Sequence, residues 1–398
     1  MSAFSAKRAS AKRAKREAII LTLAYALALV VACFAMPIAH AADRDLAKRQ
    51  TIDREKLAEY AQARAAYESL ADPYWESIAK KRSKRRARRS FKNLTASEYV
   101  LQQPPIYSGP LKPAPPDGAT SPAKPIPVIA DFLREAKAQF SFVPEAPKTE
   151  NEYKRAYVVA ARTAGLTAEQ CVRIYAFESG GDGKYDVQAG LEYDVPAARA
   201  VSTGLGYNQL LSTNSVELLA EAGDEFISVL RSKARSATGA RKAALLGKID
   251  IVKKMIAFSR TVPDRWNDHA RLADTPKGIG IHALNLDIDV GPLLQVRKLL
   301  TSVEFARRYD VNGPLSAAEL EMMNLTGDGN GFEMVMMTDR LRARIPTSNF
   351  FQRGGYERNP VAGTNNTVAK LIAATNAKMD SEAKLQGAKT MAALFEKF

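Results

Sequence analysis

Apolar side chains return every three or four positions in stretches near residues 129–140, 150–164, 167–179, 214–235, 238–258, 294–309 and 316–324, and this period predicts helices. Alternation with a period of two is scarce, so the fold class expected is mainly α. Upstream, residues 43–80 set charges of both signs between Ala, Leu and Tyr at helical intervals, as in DREKLAEYAQARAAYESL, which predicts an exposed helix. Residues 103–128, QPPIYSGPLKPAPPDGATSPAKPIPV, are dense in Pro and Gly and read as an extended spacer. The pattern therefore divides the chain into a basic helical and Pro-rich region at 42–128, a helical domain at 129–375, and a mildly amphipathic C-terminal tail at 376–398.

The first 41 residues differ in kind. Lys7, Arg8, Lys12, Arg13, Lys15 and Arg16 precede an apolar run from Ala18 to Ile38, and Ala39-His40-Ala41 supplies the small residues of a cleavage site. Residues 1–41 are thus expected to be an export signal cleaved after Ala41, the alternative being a single membrane anchor. Val30-Val31-Ala32-Cys33 is similar to a lipoprotein cleavage box, but the apolar run continues past Cys33. Cleavage would leave Cys171 alone, without a disulfide partner, and His269 and His282 as the remaining imidazoles. No HExxH or Cys/His spacing is present, so neither a metal nor a cofactor is expected.

Charge is unevenly distributed. Residues 1–41 carry a net +5, residues 42–125 +7 and residues 126–398 the remaining +3 of a formal +15. The focus is Lys80-Lys81-Arg82-Ser83-Lys84-Arg85-Arg86-Ala87-Arg88-Arg89. In an exported chain that run points to anionic lipid or cell-wall polymer rather than nucleic acid, the alternative being a solvated stretch without a specific role.

The chemistry concentrates at YAFESGGDGKYDVQAG, residues 175–190. Thr167 and Gln170 fit a capping box, Cys171, Val172, Tyr175 and Ala176 give an inward face, and Gly180-Gly181 ends the helix. Glu178 falls in the last turn. The negative end of the helix dipole and apolar neighbours both favour a protonated carboxyl there, the state that a general acid requires. As an alternative nucleophile, Cys171 on the inward face reads as a buried thiol.

Glu178-Ser179-Gly180, followed by Ser202-Thr203-Gly204-Leu205-Gly206-Tyr207-Asn208-Gln209-Leu210, resembles the soluble lytic transglycosylase family, which is related to goose-type lysozyme. Gly206 and Gln209 match the last Gly and the Gln of that family's second motif, whereas Thr203, Tyr207 and Asn208 depart from it. Met323-Asn324-Leu325-Thr326-Gly327 is a loose counterpart of a third motif, after a second capping box at Ser316 to Glu319. The likeness covers residues 150–335, and an inserted segment at 182–200 separates the first two motifs.

The resemblance implies a lysozyme-like helical domain cutting peptidoglycan glycan strands between N-acetylmuramic acid and N-acetylglucosamine. Glu178 would act first as acid and then as base, yielding 1,6-anhydro ends. It further implies that Ser179 orients Glu178, that Gly206 and Gln209 hold N-acetyl groups, that Tyr207 stacks on a sugar ring, and that Asn324 contacts substrate. The inserted segment leaves open a protein that keeps this fold and binds peptidoglycan without cutting it.

Overall fold

The computed structural model describes residues 54–88, 91, 93–113, 125–191 and 200–398, so the export segment expected at 1–41 lies outside the described residues. Among the described residues no helix is long and apolar enough to cross a membrane, and the structure is mainly helical without strands.

The chain forms two compact units, Met1–Pro73 with Pro105–Ala123, and Tyr74–Pro104 with Lys124–Phe398. A helix, α1, covers residues 54–87. In the smaller unit Tyr60 and Tyr67 meet Tyr107 edge-on and the Arg64 guanidinium lies over Tyr67 and Tyr107.

The larger unit contains α2 (Ile129–Phe140), α3 (Glu150–Thr163), α4 (Ala168–Ser179), α5 (Ser212–Ser236), α6 (Gly239–Ser259), α7 (Trp266–Ala273), α8 (Pro276–His282), α9 (Gly291–Arg307), α10 (Ala317–Thr326) and α11 (Asp328–Val335). The short α12 (Asp339–Arg342), α13 (Arg353–Glu357) and α14 (Pro360–Thr364) precede α15 (Val368–Glu382) and α16 (Gln386–Lys397). Its apolar interior falls into three clusters. One joins α2, α5, α6 and α8, with Phe132, Leu219, Phe226 and Ile256 inside. A second joins α3, α4, α9, α10 and α16 around Tyr153, Ile174, Leu320 and Phe395. The third collects Tyr99, Met334, Phe350 and Leu371.

Two expectations are corrected here. The segment 376–398 is not a tail: Met379, Ala388, Met391, Leu394 and Phe395 are buried in the second cluster, so its mild amphipathicity marks a packed face. The described part of the basic run, residues 80–88, is only partly solvated: Lys80, Lys84, Arg86 and Arg88 are exposed, whereas Arg82 and Arg85 are buried. Arg82 donates to the Asn349 and Phe351 carbonyls, and Arg85 is sealed against Glu333 at 2.6 Å and lies over the Tyr99 ring. Lys81 reaches the Ser97 and Tyr99 carbonyls, and Arg86 reaches Asn330. Long cationic side chains whose donors find buried carbonyls and a carboxylate act as internal ties. Arg82 and Arg85 are withdrawn from any anionic partner.

Candidate active site

The register of α4 against α10 positions the site. Both helices open with the capping boxes anticipated, Thr167 with Gln170 and Ser316 with Glu319. The two starts are tied to each other, because Gln170 Nε2 donates to the Leu315 carbonyl at 2.8 Å and Glu169 accepts from the Ala317 amide. From Glu169 to Glu178 the chain climbs about 13 Å, and from Ala317 to Asn324 about 10 Å, at ~1.5 Å per residue. The helices arrive side by side, and Asn324 Nδ2 donates to Glu178 Oε1 at 2.8 Å. Gly180, at φ +67°, then ends α4 in the left-handed conformation, which a Cβ would strain.

One turn before Asn324, on the same face of α10, stands Glu321, 2% exposed. Its carboxyl is within hydrogen-bonding reach of Glu178. Burial, and then the Glu178 charge, hold Glu321 well above the usual carboxylate range. Glu321 Oε2 is sealed from solvent and meets no N–H or O–H donor among the described residues, so ionisation there would leave an uncompensated charge. Burial and the Glu178 charge thus favour the protonated form of Glu321, the form able to donate to Glu178. Burial pushes Glu178 up to about 7, while Glu321, Lys378, Asn324 and Lys298 pull it back. A half-buried carboxyl between its two states at neutrality can give a proton and take one back.

The remaining residues singled out in the sequence are placed differently. Ser179 Oγ donates to the Tyr175 carbonyl at 2.6 Å, a bond within α4 that does not orient Glu178. Tyr207 is fully buried, edge-on to Tyr153, Tyr157 and Tyr175, with its hydroxyl on Glu150, so it offers no face to a sugar. Gly206, at φ +80°, bonds Val187 through its amide, and a Cβ there would come within 2.6 Å of Gln295 Nε2. Gln209 Nε2 donates to the Val187 and Gly206 carbonyls. The described part of the inserted segment has folded back on the Gln209 loop, with Ala189 donating to Gly204 and Gln188 Nε2 to Ser202. It occupies the donors that the resemblance assigned to N-acetyl groups.

That loop is held from behind by a buried polar chain. His282 contacts Ser215 Oγ at 2.8 Å through Nδ1 and the Thr203 carbonyl at 2.8 Å through Nε2, and Asn285 Nδ2 donates to Ser215 Oγ. Gln295 bonds Asn285 Oδ1 and the Leu205 carbonyl and accepts from the Asn208 amide. Burial lowers His282 to about 4, so it stays neutral as a structural link rather than a catalytic base. Cys171 is buried and its thiol is pushed up to about 12, which leaves it inert. Among the described residues no group of His, Cys, Asp and Glu is arranged to hold a metal.

Glu321 is the residue that sequence reasoning missed. Its signal was the spacing Glu321-x-x-Asn324, which places a carboxyl and an amide on one helical face after a capping box. Comparison of this chain with protein-family models, with curated proteins and with solved structures finds no match.

Proposed function

We propose that this protein is an exported peptidoglycan lytic transglycosylase with a lysozyme-like helical domain, and that Glu178 is its acid and base. The observation that carries the reading is the Glu178 carboxyl, half-buried at a helix end, pushed up to about 7, bonded by Asn324 and within reach of the buried Glu321 carboxyl. Protonated Glu178 gives its proton to the glycosidic oxygen as the bond from the anomeric carbon to that oxygen breaks. The resulting carboxylate takes the proton of the muramoyl 6-hydroxyl as that oxygen bonds to the anomeric carbon, and Glu178 returns to its starting state. Asn324 fixes the carboxyl's orientation through both halves. Glu321 supplies a neutral donor that eases the carboxylate stage without adding a second charge.

A non-catalytic peptidoglycan binder with the same fold is the second reading. It draws on the inward commitment of Tyr207, Gly206 and Gln209, which removes the sugar contacts of the resembled family. Incubation of the full chain with purified sacculi, followed by mass spectrometry of the soluble products, decides between them. Anhydro-ended fragments that vanish in Glu178→Gln are expected; sedimentation with sacculi but no fragments would support the binder.

A further inference from the structure

We propose that the tip of the hairpin formed by α5 and α6 is a docking surface for a membrane rich in anionic phospholipid. The surface is independent of the Glu178 reading, and either can fail without the other.

From Phe226 to Ile249 the chain carries six cations, Arg231, Lys233, Arg235, Arg241, Lys242 and Lys248, and no Asp or Glu. The two helices pack along each other and turn at Ala237-Thr238, so the run folds back on itself and its charges repel unless partners come from elsewhere. Three of the six are answered from the interior. Lys233 bonds Asp289 at 3.1 Å, Lys248 bonds Asp289 and Asp287 at 2.6 and 2.9 Å, and Arg241 bonds Asp289 and Glu145 at 2.7 and 2.5 Å. Because α5 and α6 both send cations to Asp289, these bonds fix the rotation of each helix about its axis.

The other three are left outside. Arg231 and Arg235, one turn apart in α5, and Lys242, in the first turn of α6, are exposed, and no side-chain ion pair engages them among the described residues. The nearest acids along both helices are engaged by other cations: Asp224 by Arg260, Glu225 by Arg297 and Asp250 by Lys253. Beside the three cations Val229 and Leu246 are exposed, as are Ala240, Ala243, Ala244 and Gly247.

That composition selects among anionic partners. Residues 227–249 contain no aromatic ring and no Asn, Gln or His. The tip thus lacks the rings on which bases stack and the amides that read base edges. Guanidinium and ammonium groups next to exposed aliphatic side chains match a bilayer interface, where the cations meet phosphates and Val229 and Leu246 enter the head-group boundary.

The full chain is sedimented with vesicles of phosphatidylcholine alone and of equal parts phosphatidylcholine and phosphatidylglycerol. The readout is the ratio of the two affinities, in which any contribution of the apolar run Ala18–Ile38 cancels. A basic side chain near such a surface brings about a fivefold gain, so Arg231→Gln, Arg235→Gln and Lys242→Gln together should lower the ratio about 100-fold. Removing three exposed lysines of other helices, Lys80 and Lys84 of α1 and Lys389 of α16, should leave it nearly unchanged. Leu246→Ser should weaken binding to the anionic vesicles but not to soluble polyphosphate. The wild-type ratio should also fall steeply with added salt, a readout that needs no variant. No wild-type preference for anionic vesicles, a preference indifferent to salt, an unchanged ratio in the folded hairpin variant, or an equal loss in the control variant would each overturn the proposal. Full binding of Leu246→Ser to vesicles and polyphosphate alike would overturn it as well, by showing a polyanion site in place of a lipid one.

Discussion

Replacing Glu178 with Gln tests the electrostatics of the site through stability alone, before any substrate is involved. Burial pushes the carboxyl up to about 7 in the fold, from an ordinary glutamate value of 4.5. The folded state therefore holds this proton more tightly than the unfolded chain does. Below the lower value both states are protonated and the group is neutral in its effect. Between the two values the folded state alone stays protonated, so its contribution to stability falls as pH rises, and above about 7 the full penalty for burying the charge is present. The gap corresponds to about 3 kcal/mol, which partial exposure reduces to on the order of 1–2 kcal/mol. Glutamine keeps an oxygen to accept from Asn324 and Glu321 but has no charge to bury. Glu178→Gln should thus match the wild type at about pH 4 and gain on the order of 1–2 kcal/mol at about pH 8. For a domain of this size that gain is a rise of roughly 3–6 °C in Tm by calorimetry. Equal shifts at both pH values, or a loss at the higher one, would refute the argument that burial holds the proton on Glu178.

Other changes act on the neighbours of this carboxyl and on the scaffold. Glu321→Leu removes the donor that eases Glu178 ionisation, so the alkaline limb of the glycan-cleavage profile should move to higher pH; a move to lower pH would contradict the direction assigned to that hydrogen bond. Arg85→Ala leaves Glu333 buried without its ion-pair partner and should cost about 3–5 kcal/mol in urea unfolding, whereas Arg85→Met combined with Glu333→Leu should recover most of the loss. His282, lowered from 6.5 to about 4, contributes stability that is fully present above 6.5 and lost as pH falls toward about 4, about 3 kcal/mol in all. A His282→Gln variant should lack that acid sensitivity in a Tm-against-pH series.

The helical pattern carried the fold a long way and failed where period and charge no longer distinguish a packed face from a free one. Seven expected helices appear within a few residues of their predicted bounds, α2 most closely at Ile129–Phe140, because each repeats apolar residues at helical spacing, and α3, α4 and α10 also open on a capping Thr or Ser. The C-terminal helices escaped notice because their inward residues are Ala, Met and Leu set among lysines, and α16 buries Ala388, Met391, Leu394 and Phe395 despite that mild pattern. In Lys80–Arg89 charge density concealed a helical spacing, since Arg82 and Arg85, three apart, continue the buried stripe of Trp75 and Ile78. Their partners are backbone carbonyls near residue 350 and Glu333, which no local pattern names.

The candidate site divides along the same line. Glu178 could be read locally, because its place in the last turn, its apolar neighbours and the two glycines all lie within a few positions of it. What sets its proton affinity is remote: Glu321 and Asn324 come from α10, which begins 138 residues after α4 ends at Ser179, and they reach it because Gln170 and Glu169 lock the two helix starts together. Tyr207 and Gln209 show the converse. Their motif was legible, but the inserted segment competes for the same donors and the tyrosine cluster for the same ring, so a segment that resembles a sugar-binding loop is held as an internal wall. The same wall braces its neighbours, since the Asn208 amide ahead of α5 donates to Gln295 Oε1 on α9 at 2.8 Å.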